Sequence, residues 1–195
     1  MLKTKIAVFV SGGGTNFEAL INAQENGKIP HGEIVLMVSS SKTAYALKRA
    51  ENHGIKSVVC SKKELGSQER FEEEILKNLE ENDIQLIVLA GFMSILSKEF
   101  TKKYENRIIN IHPSLIPSFC GEGFYGLHVH EAALKKGVKV TGATVHIVNE
   151  IPDGGPIIMQ RAVYVEDNDT PEILQKRVME LSLIHISEPT RPEPI

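Results

Sequence analysis

"KIAVFVSGGGTNFEALI", residues 5–21, decides how the rest of the chain is to be read. Six residues rich in β-branched and aromatic side chains, 5–10, form an apolar run with no polar alternation. Such a run is a strand buried on both faces. It breaks at "SGGGTN" (11–16), after which Phe17, Leu20 and Ile21 recur at helical spacing. Strand, glycine loop and helix in direct succession are the first unit of an open α/β sheet.

Outward from that unit the same alternation continues. Strands are predicted at 33–39, 56–60, 84–91 and 107–111. Helices are predicted near 43–53, over 67–81 (Phe71, Ile75 and Leu79 four apart), and near 97–104 and 126–136. Two further strand candidates, 139–149 and 155–165, follow one another without a helix between them, so one of them is predicted to run antiparallel. "TPEILQKRVME" (170–180) opens with Thr and Pro, a cap followed by a first-turn proline. The predicted fold is α/β, a mostly parallel Rossmann-like sheet with helices on both faces and one antiparallel strand near the C-terminal part.

The gross composition fits this class. In 195 residues, 42% are hydrophobic and 24% charged, which is ordinary for a globular domain. A formal net charge of -3 supplies no basic field for nucleic acid or an anionic membrane. Two cysteines, Cys60 and Cys120, make no disulfide framework. The N-terminus has no signal-peptide pattern and no run is long enough to cross a bilayer, so a cytoplasmic protein acting on small molecules is expected.

"SGGGTN" lies where such sheets bind anions. Successive glycines let backbone N–H groups converge, and the following helix adds partial positive charge. The loop ends Gly14-Thr15-Asn16 without the Lys of a P-loop. Phe17 occupies the third glycine position of a dinucleotide fingerprint, and no acid follows the second strand at Ser39-Ser40-Ser41-Lys42. A single phosphate on a small substrate fits better. The plainer alternative is a tight turn with Thr15 or Asn16 as cap.

"NIHPSLIPSF" (110–119) places Asn110 and His112 two apart, on the same side of an extended segment, at the C-terminal edge of the sheet. Pro113 blocks further pairing. Histidine exchanges protons near neutral pH, and an Asn amide can donate to a developing oxyanion. The pair suits acyl transfer to an amine without a covalent intermediate. A turn in "IPDGGPII" (151–158) carries Asp153, whose carboxylate could favour protonated His112. Asp is also common in turns for geometry alone.

Other candidates carry less. His146 reads as a satisfied strand histidine. His128 and His130 lack a Cys or acid cluster, so no metal is expected. Cys120 reads as a loop thiol, and Glu72-Glu73-Glu74 as a solvated helix face.

Together "SGGGTN", "LAGFMSIL", "NIHPSLIPSF", "GATVHIV" and "DGGPII" resemble the 10-formyltetrahydrofolate-dependent phosphoribosylglycinamide formyltransferases of purine synthesis, over residues 5 to about 180. The resemblance implies transfer of a formyl group from 10-formyltetrahydrofolate, the co-substrate, to the glycinamide amine, with no metal. It implies that Gly12, Gly13, Gly14, Thr15 and Asn16 hold the substrate phosphate. Met93, Ser94, Ile95 and Leu96 would line the folate pocket, with Gln68 nearby. Asn110 and His112 would bind the formyl oxygen, His112 transferring protons, and Asp153 would raise the pKa of His112 and place a relaying water.

The chain departs from the family in three places. Ser94 stands where an Arg is frequent. Gln68 lacks the charge of a basic residue found there in some members. A substrate-binding Glu expected near Ser182 is absent. "LSLIHISEPTRPEPI" (181–195) resembles the translation of a transposon-end sequencing adapter. The expected organisation is a C-terminally truncated formyltransferase domain at 1–180 and a non-native tail at 181–195, the alternative being a genuine Pro-rich tail. Rival readings are a formyltetrahydrofolate hydrolase, a methionyl-tRNA formyltransferase, and a non-catalytic folate- or phosphate-binding protein.

Overall fold

The computed structural model describes residues 2–185, with side chains through Glu180. β1 (Thr4–Val10) is an interior strand, third from one edge, of a seven-stranded sheet. Its residues from Ile6 to Val10 are all buried, as an unbroken apolar strand requires. α1 (Thr15–Glu25) follows the glycine loop, then β2 (Gly32–Ser39), α2 (Ala46–Asn52) and β3 (Lys56–Val59). α3 (Lys62–Leu65) and α4 (Gln68–Glu81) lead to β4 (Leu86–Leu89), and α5 (Lys98–Lys103) to β5 (Ile108–His112). The chain continues through α6 (Leu127–Lys136), β6 (Val140–Ile147), β7 (Ile157–Tyr164) and α7 (Pro171–His185).

The strand order is β3-β2-β1-β4-β5-β6-β7. Neighbours are parallel from β3 to β5, β6 is antiparallel to β5, and β7 is antiparallel to β6. β6 is therefore the one reversed strand among those described, as the helix-free connection between the last two strands implied. One face of the sheet is covered by α4 and α5 through Phe71, Ile75, Leu79 and Phe100. The other is covered by α1 and α2 through Phe17, Leu20, Ile21, Ala46 and Ala50. A third apolar cluster joins α6 and α7 to β6 and β7 through Ala133, Leu174, Val178, Ala143 and Val163.

Several boundaries differ from the sequence pattern. β4 spans Leu86–Leu89, not 84–91, because Ala90 and Gly91 turn into the loop that follows, Gly91 at a φ of 77°. The short α3 carried no periodicity to announce it. Thr170 caps α7 as predicted, its Oγ1 accepting from the Ile173 N–H at 3.3 Å. The helix runs past 180 to His185, so the first part of the expected tail is helical in its backbone. The remainder, 186–195, lies outside the described residues. Glu72 corrects the reading of its acidic run. It is 8% exposed and accepts from both the backbone N–H and the hydroxyl of Ser97, whereas Glu73 is solvated.

The turn before β7 is fixed by backbone contact. A Cβ on Gly155 would lie 1.8 Å from the Ile147 carbonyl oxygen, so only glycine fits without displacing β6 or the turn. Around Gly13 nothing lies within 4 Å of such a Cβ. Gly155→Ala should therefore cost about 1–3 kcal/mol in urea unfolding, the range for forced overpacking. Gly13→Ala should fall within about 0.5 kcal/mol of the unmodified chain, as open surface substitutions do.

Candidate functional site

β1 and β4 lie side by side, yet the chain leaves them for opposite halves of the sheet. Loops that part in this way open a crevice at the carboxyl ends of the strands. The loop after β1 is "SGGGTN", and the loop after β4 carries Phe92 to Leu96. Ser11 ties the two together: its backbone N–H donates to Gly91 O, and its Oγ accepts from the Met93 N–H at 2.8 Å. β5, next to β4, brings Asn110 and His112 to the same edge.

The result is one continuous cleft. A cavity of about 230 Å³ is lined by Gly12, Gly13, Gly14, Thr15 and Asn16 and bordered by Met93, Ile111 and Pro113. It opens past those last residues into a cleft of about 700 Å³ that holds Asn110, His112 and Asp153. Ser94, Ile95, Asn110, Pro152 and Asp153 also border an inner recess that reaches Leu96 and His146. Of the residues the resemblance assigns to the phosphate, the folate and the formyl group, all but Gln68 line part of this path. Gln68 sits on α4 and donates its Nε2–H to Ile95 O at 3.0 Å, beside Glu72. From there the pair braces the loop after β4, Glu72 through Ser97 and Gln68 through Ile95.

His112, 4% exposed, donates from Nε2 to Phe119 O at 2.8 Å, which leaves Nδ1 facing Asp153 Oδ2 at 3.4 Å. Phe119 is presented by a tight loop. Thr144 accepts from the Ile116 N–H and donates to Ser114 O, and Gln160 donates to Ile116 O. Asp153 adopts a left-handed φ of 54°, which Asp tolerates better than most residues. Its Oδ2 accepts from the Gly121 N–H at 2.9 Å. Burial works to raise its pKa. The hydrogen bond from His146, the Gly121 N–H and the charges of His112 and His146 outweigh that and hold the carboxyl below the usual carboxylate range. Asp153 is thus an ionised group at the floor of the cleft.

His146 belongs to this cluster, and the strand-histidine reading gave no hint of it. Antiparallel pairing sets it directly opposite Asn110, so both side chains project from one face. Its Nδ1–H donates to Ile147 O at 2.9 Å, and its Nε2 lies 3.1 Å from the Asn110 amide nitrogen. Nε2 also lies 3.4 Å from Asp153 Oδ1. The signal was the register of β5 against β6, which residue types alone do not reveal.

Two other features of the cleft went unseen. The segment from Gly121 to Gly126 walls the cleft opposite the loop after β4. His130, fully buried, lines the cavity at the glycine loop, and neither ring nitrogen has a hydrogen-bond partner among the described residues. Burial, and after it the charge of His112, push His130 down to about 4, so it is neutral at pH 7. Cys120 lies near Asp153, and burial followed by that carboxylate pushes its thiol up, away from nucleophilic character, in keeping with a loop thiol. Exposed His128 pairs with Glu131. Among the described residues no group of three or more His, Cys, Asp or Glu is placed to hold a metal ion, and no helix is long and apolar enough to cross a membrane.

A family model described as formyl transferase matches residues 4–188. The phosphoribosylglycinamide formyltransferase of Bacillus subtilis (strain 168) is 38% identical over 179 residues, covering 91% of this chain and 88% of that protein. The trifunctional purine biosynthetic protein adenosine-3 of Gallus gallus is 48% identical over 178 residues, 91% of this chain but 17% of that protein. A chloroplastic phosphoribosylglycinamide formyltransferase of Arabidopsis thaliana is matched over 61% of its length, so the chain spans less than two thirds of these last two relatives. The crystal structure of phosphoribosylglycinamide formyltransferase from Bacillus halodurans superposes with a TM-score of 0.87 at 38% identity, covering 94% of this chain and 92% of that one.

Because the Asp153 pKa is lower folded than unfolded, its contribution to stability is complete above the ordinary carboxylate value of about 3.9 and is lost as pH falls through the lower folded value. Asp153→Asn should therefore lower stability at pH 7, and the gap should close on acidification. Urea unfolding of both proteins across that range measures it.

Proposed function

The chain belongs to the formyl transferase family, and from that premise we propose that it transfers the formyl group of 10-formyltetrahydrofolate to the amine of 5'-phosphoribosylglycinamide, a step of purine biosynthesis. Residues 1–180 are the formyltransferase domain in this reading. Relatives bearing that enzyme's name cover most of the chain at 38–39% identity. The observation that carries the reading is the single cleft joining the glycine loop to Asn110, His112 and Asp153 and on to the inner recess at Leu96. An elongated anionic amine entering from one end and a flat folate entering from the other would meet at the polar cluster.

The phosphate rests on Gly12, Gly13, Gly14, Thr15 and Asn16, whose backbone N–H groups are donors without a protein acceptor among the described residues. The pteridine lies in the recess between Leu96 and the 149–153 turn, and Met93, Ser94 and Ile95 flank its tail. Gln68 acts through the loop it braces. The half-buried Ser94 hydroxyl offers a hydrogen bond where an Arg would offer charge. Ser182, where a substrate-binding Glu was expected, has its side chain outside the described residues.

The neutral amine attacks the formyl carbon, forming the new C–N bond and an oxyanion. Asn110 Nδ2 already holds His146 at 3.1 Å, and its 3.4 Å contact to Asp153 is long enough for the oxyanion to displace. His112, with Nε2–H on Phe119 O, presents Nδ1 as the proton-carrying atom toward the same oxygen. The amine proton is passed by a water held at Asp153. Collapse breaks the bond to N10 of the folate, which takes up a proton and leaves as tetrahydrofolate. The roles of Asn110 and His112 are those of oxyanion donors, aimed before the reaction begins.

Absorbance assay of tetrahydrofolate release tests this directly. Product should appear only when phosphoribosylglycinamide is present; release without it would overturn transfer in favour of hydrolysis. Asn110→Ala, His112→Ala and Asp153→Ala should each lower turnover ~100- to 1000-fold while the chain stays folded, the usual cost of losing one oxyanion donor or its support.

A further inference from the structure

We infer that Arg49, on α2 and outside the cleft, is the positioning residue that turns the glycine loop into an anion-binding nest; the inference rests on the reading of that loop as the phosphate site. Two successive loop carbonyls are pinned to α2. The Ala46 N–H donates to Gly12 O at 3.2 Å, and the Arg49 Nε–H donates to Gly13 O at 2.9 Å. In a trans peptide the C=O and the next N–H point in opposite directions. Fixing Gly12 O and Gly13 O against α2 therefore turns the Gly13 and Gly14 N–H groups away from it, toward the cavity they line. Neither N–H donates to a protein acceptor among the described residues.

The guanidinium is itself held. Its Nη1 lies 3.0 Å from Glu18 Oε2, and its carbon sits 5.1 Å from the Tyr45 ring centroid. Glu18 thus answers the Arg49 charge within the protein, its other oxygen pairing with His53. The loop packs against the same helix. A Cβ on Gly14, where φ is 71°, would lie 2.7 Å from Ala46 Cβ and 3.5 Å from Arg49 Cδ. Glycine at 14 permits both the left-handed turn and the close approach that puts Gly13 O within reach of Nε. Arg49 therefore acts by orientation, through one charge-assisted hydrogen bond, and its side chain does not line the cavity.

Orientation and long-range attraction make different predictions, because salt screens attraction between exposed charges and leaves a fixed peptide geometry intact. Calorimetric titration of the full chain with inorganic phosphate at low and high salt separates them. Arg49→Met should bind phosphate roughly tenfold more weakly at both salt concentrations, the order expected for a lost hydrogen bond to a charged group. Arg49→Lys, whose single ammonium cannot serve Gly13 O and Glu18 together, should fall between the two. In turnover, the Met variant should raise KM for the ribonucleotide, with kcat and the KM for the folate donor unchanged.

A folded Arg49→Met chain with unaltered phosphate affinity overturns the inference, as does a loss that vanishes at high salt. If the Met variant does not fold, the Lys variant decides: weakened binding supports the inference, and full affinity overturns it. Failure of the unmodified chain to bind phosphate would instead overturn the reading of the loop. Phosphate binding without formyl transfer would overturn the proposed reaction and leave the role of Arg49 standing.

Discussion

The divergence of the chain at the boundary between β1 and β4 is the constraint on which the site depends. The chain leaves β1 toward β2 and β4 toward β5, so their loops cannot close over one another. A crevice at that edge is a consequence of topology before any side chain is chosen. Glycine at 12–14 leaves one wall without side chains, so its backbone lines the cavity directly, and the loop after β4 forms the other wall. The two do not move independently, because Ser11 bonds to the backbone of both Gly91 and Met93. Glu72 and Gln68 fix the far side of the second wall from α4. The cleft is thus held from outside its own lining, by a buried carboxylate on one flank and by a guanidinium on the other.

The reversal of β6 gives the crevice its chemistry. Had β6 joined the sheet in parallel, its pairing with β5 would follow a different ladder and His146 would not face Asn110. Antiparallel pairing sets Asn110 against His146 and His112 against Thr144. It also sends the chain back over the strand edge, where the 151–155 turn delivers Asp153. Hydrogen bonds from Gly121 and Asn110, together with the nearby rings of His112 and His146, compensate the burial of that carboxylate. An unpaired charge there would cost several kcal/mol. Gly155, pressed on Ile147 O, keeps the turn where those partners can reach it.

Much of this was legible in the residues. The unbroken apolar strands and the helix-free link between β6 and β7 showed the sheet class, and Thr170 marked the start of α7, because each is a local signal. Asn110, His112 and the glycine loop stood out because polar or glycine residues end apolar strands where a sheet presents its edge, and Asp153 because it sits in a glycine-rich turn. What escaped was tertiary. His146 needed the β5–β6 register, and Glu72 needed the position of Ser97, since an acid within an acidic run looks solvated until its partner is known. Arg49 lies 35 residues from Gly14 along the chain, and nothing in its surroundings marks it. His130 sits beside His128 in a pattern that suggested nothing, yet one is wholly buried and the other exposed.

The central claim is that one cleft holds the phosphate end of the substrate and the reacting amine at the same time. A crystal structure of this chain with phosphoribosylglycinamide bound tests it most directly. The account predicts the phosphate against the Gly13 and Gly14 N–H groups and the glycinamide amine within hydrogen-bond reach of the Asn110–His112–Asp153 cluster. A phosphate bound elsewhere, or an amine pointing away from Asn110 while the phosphate sits in the loop, would contradict it.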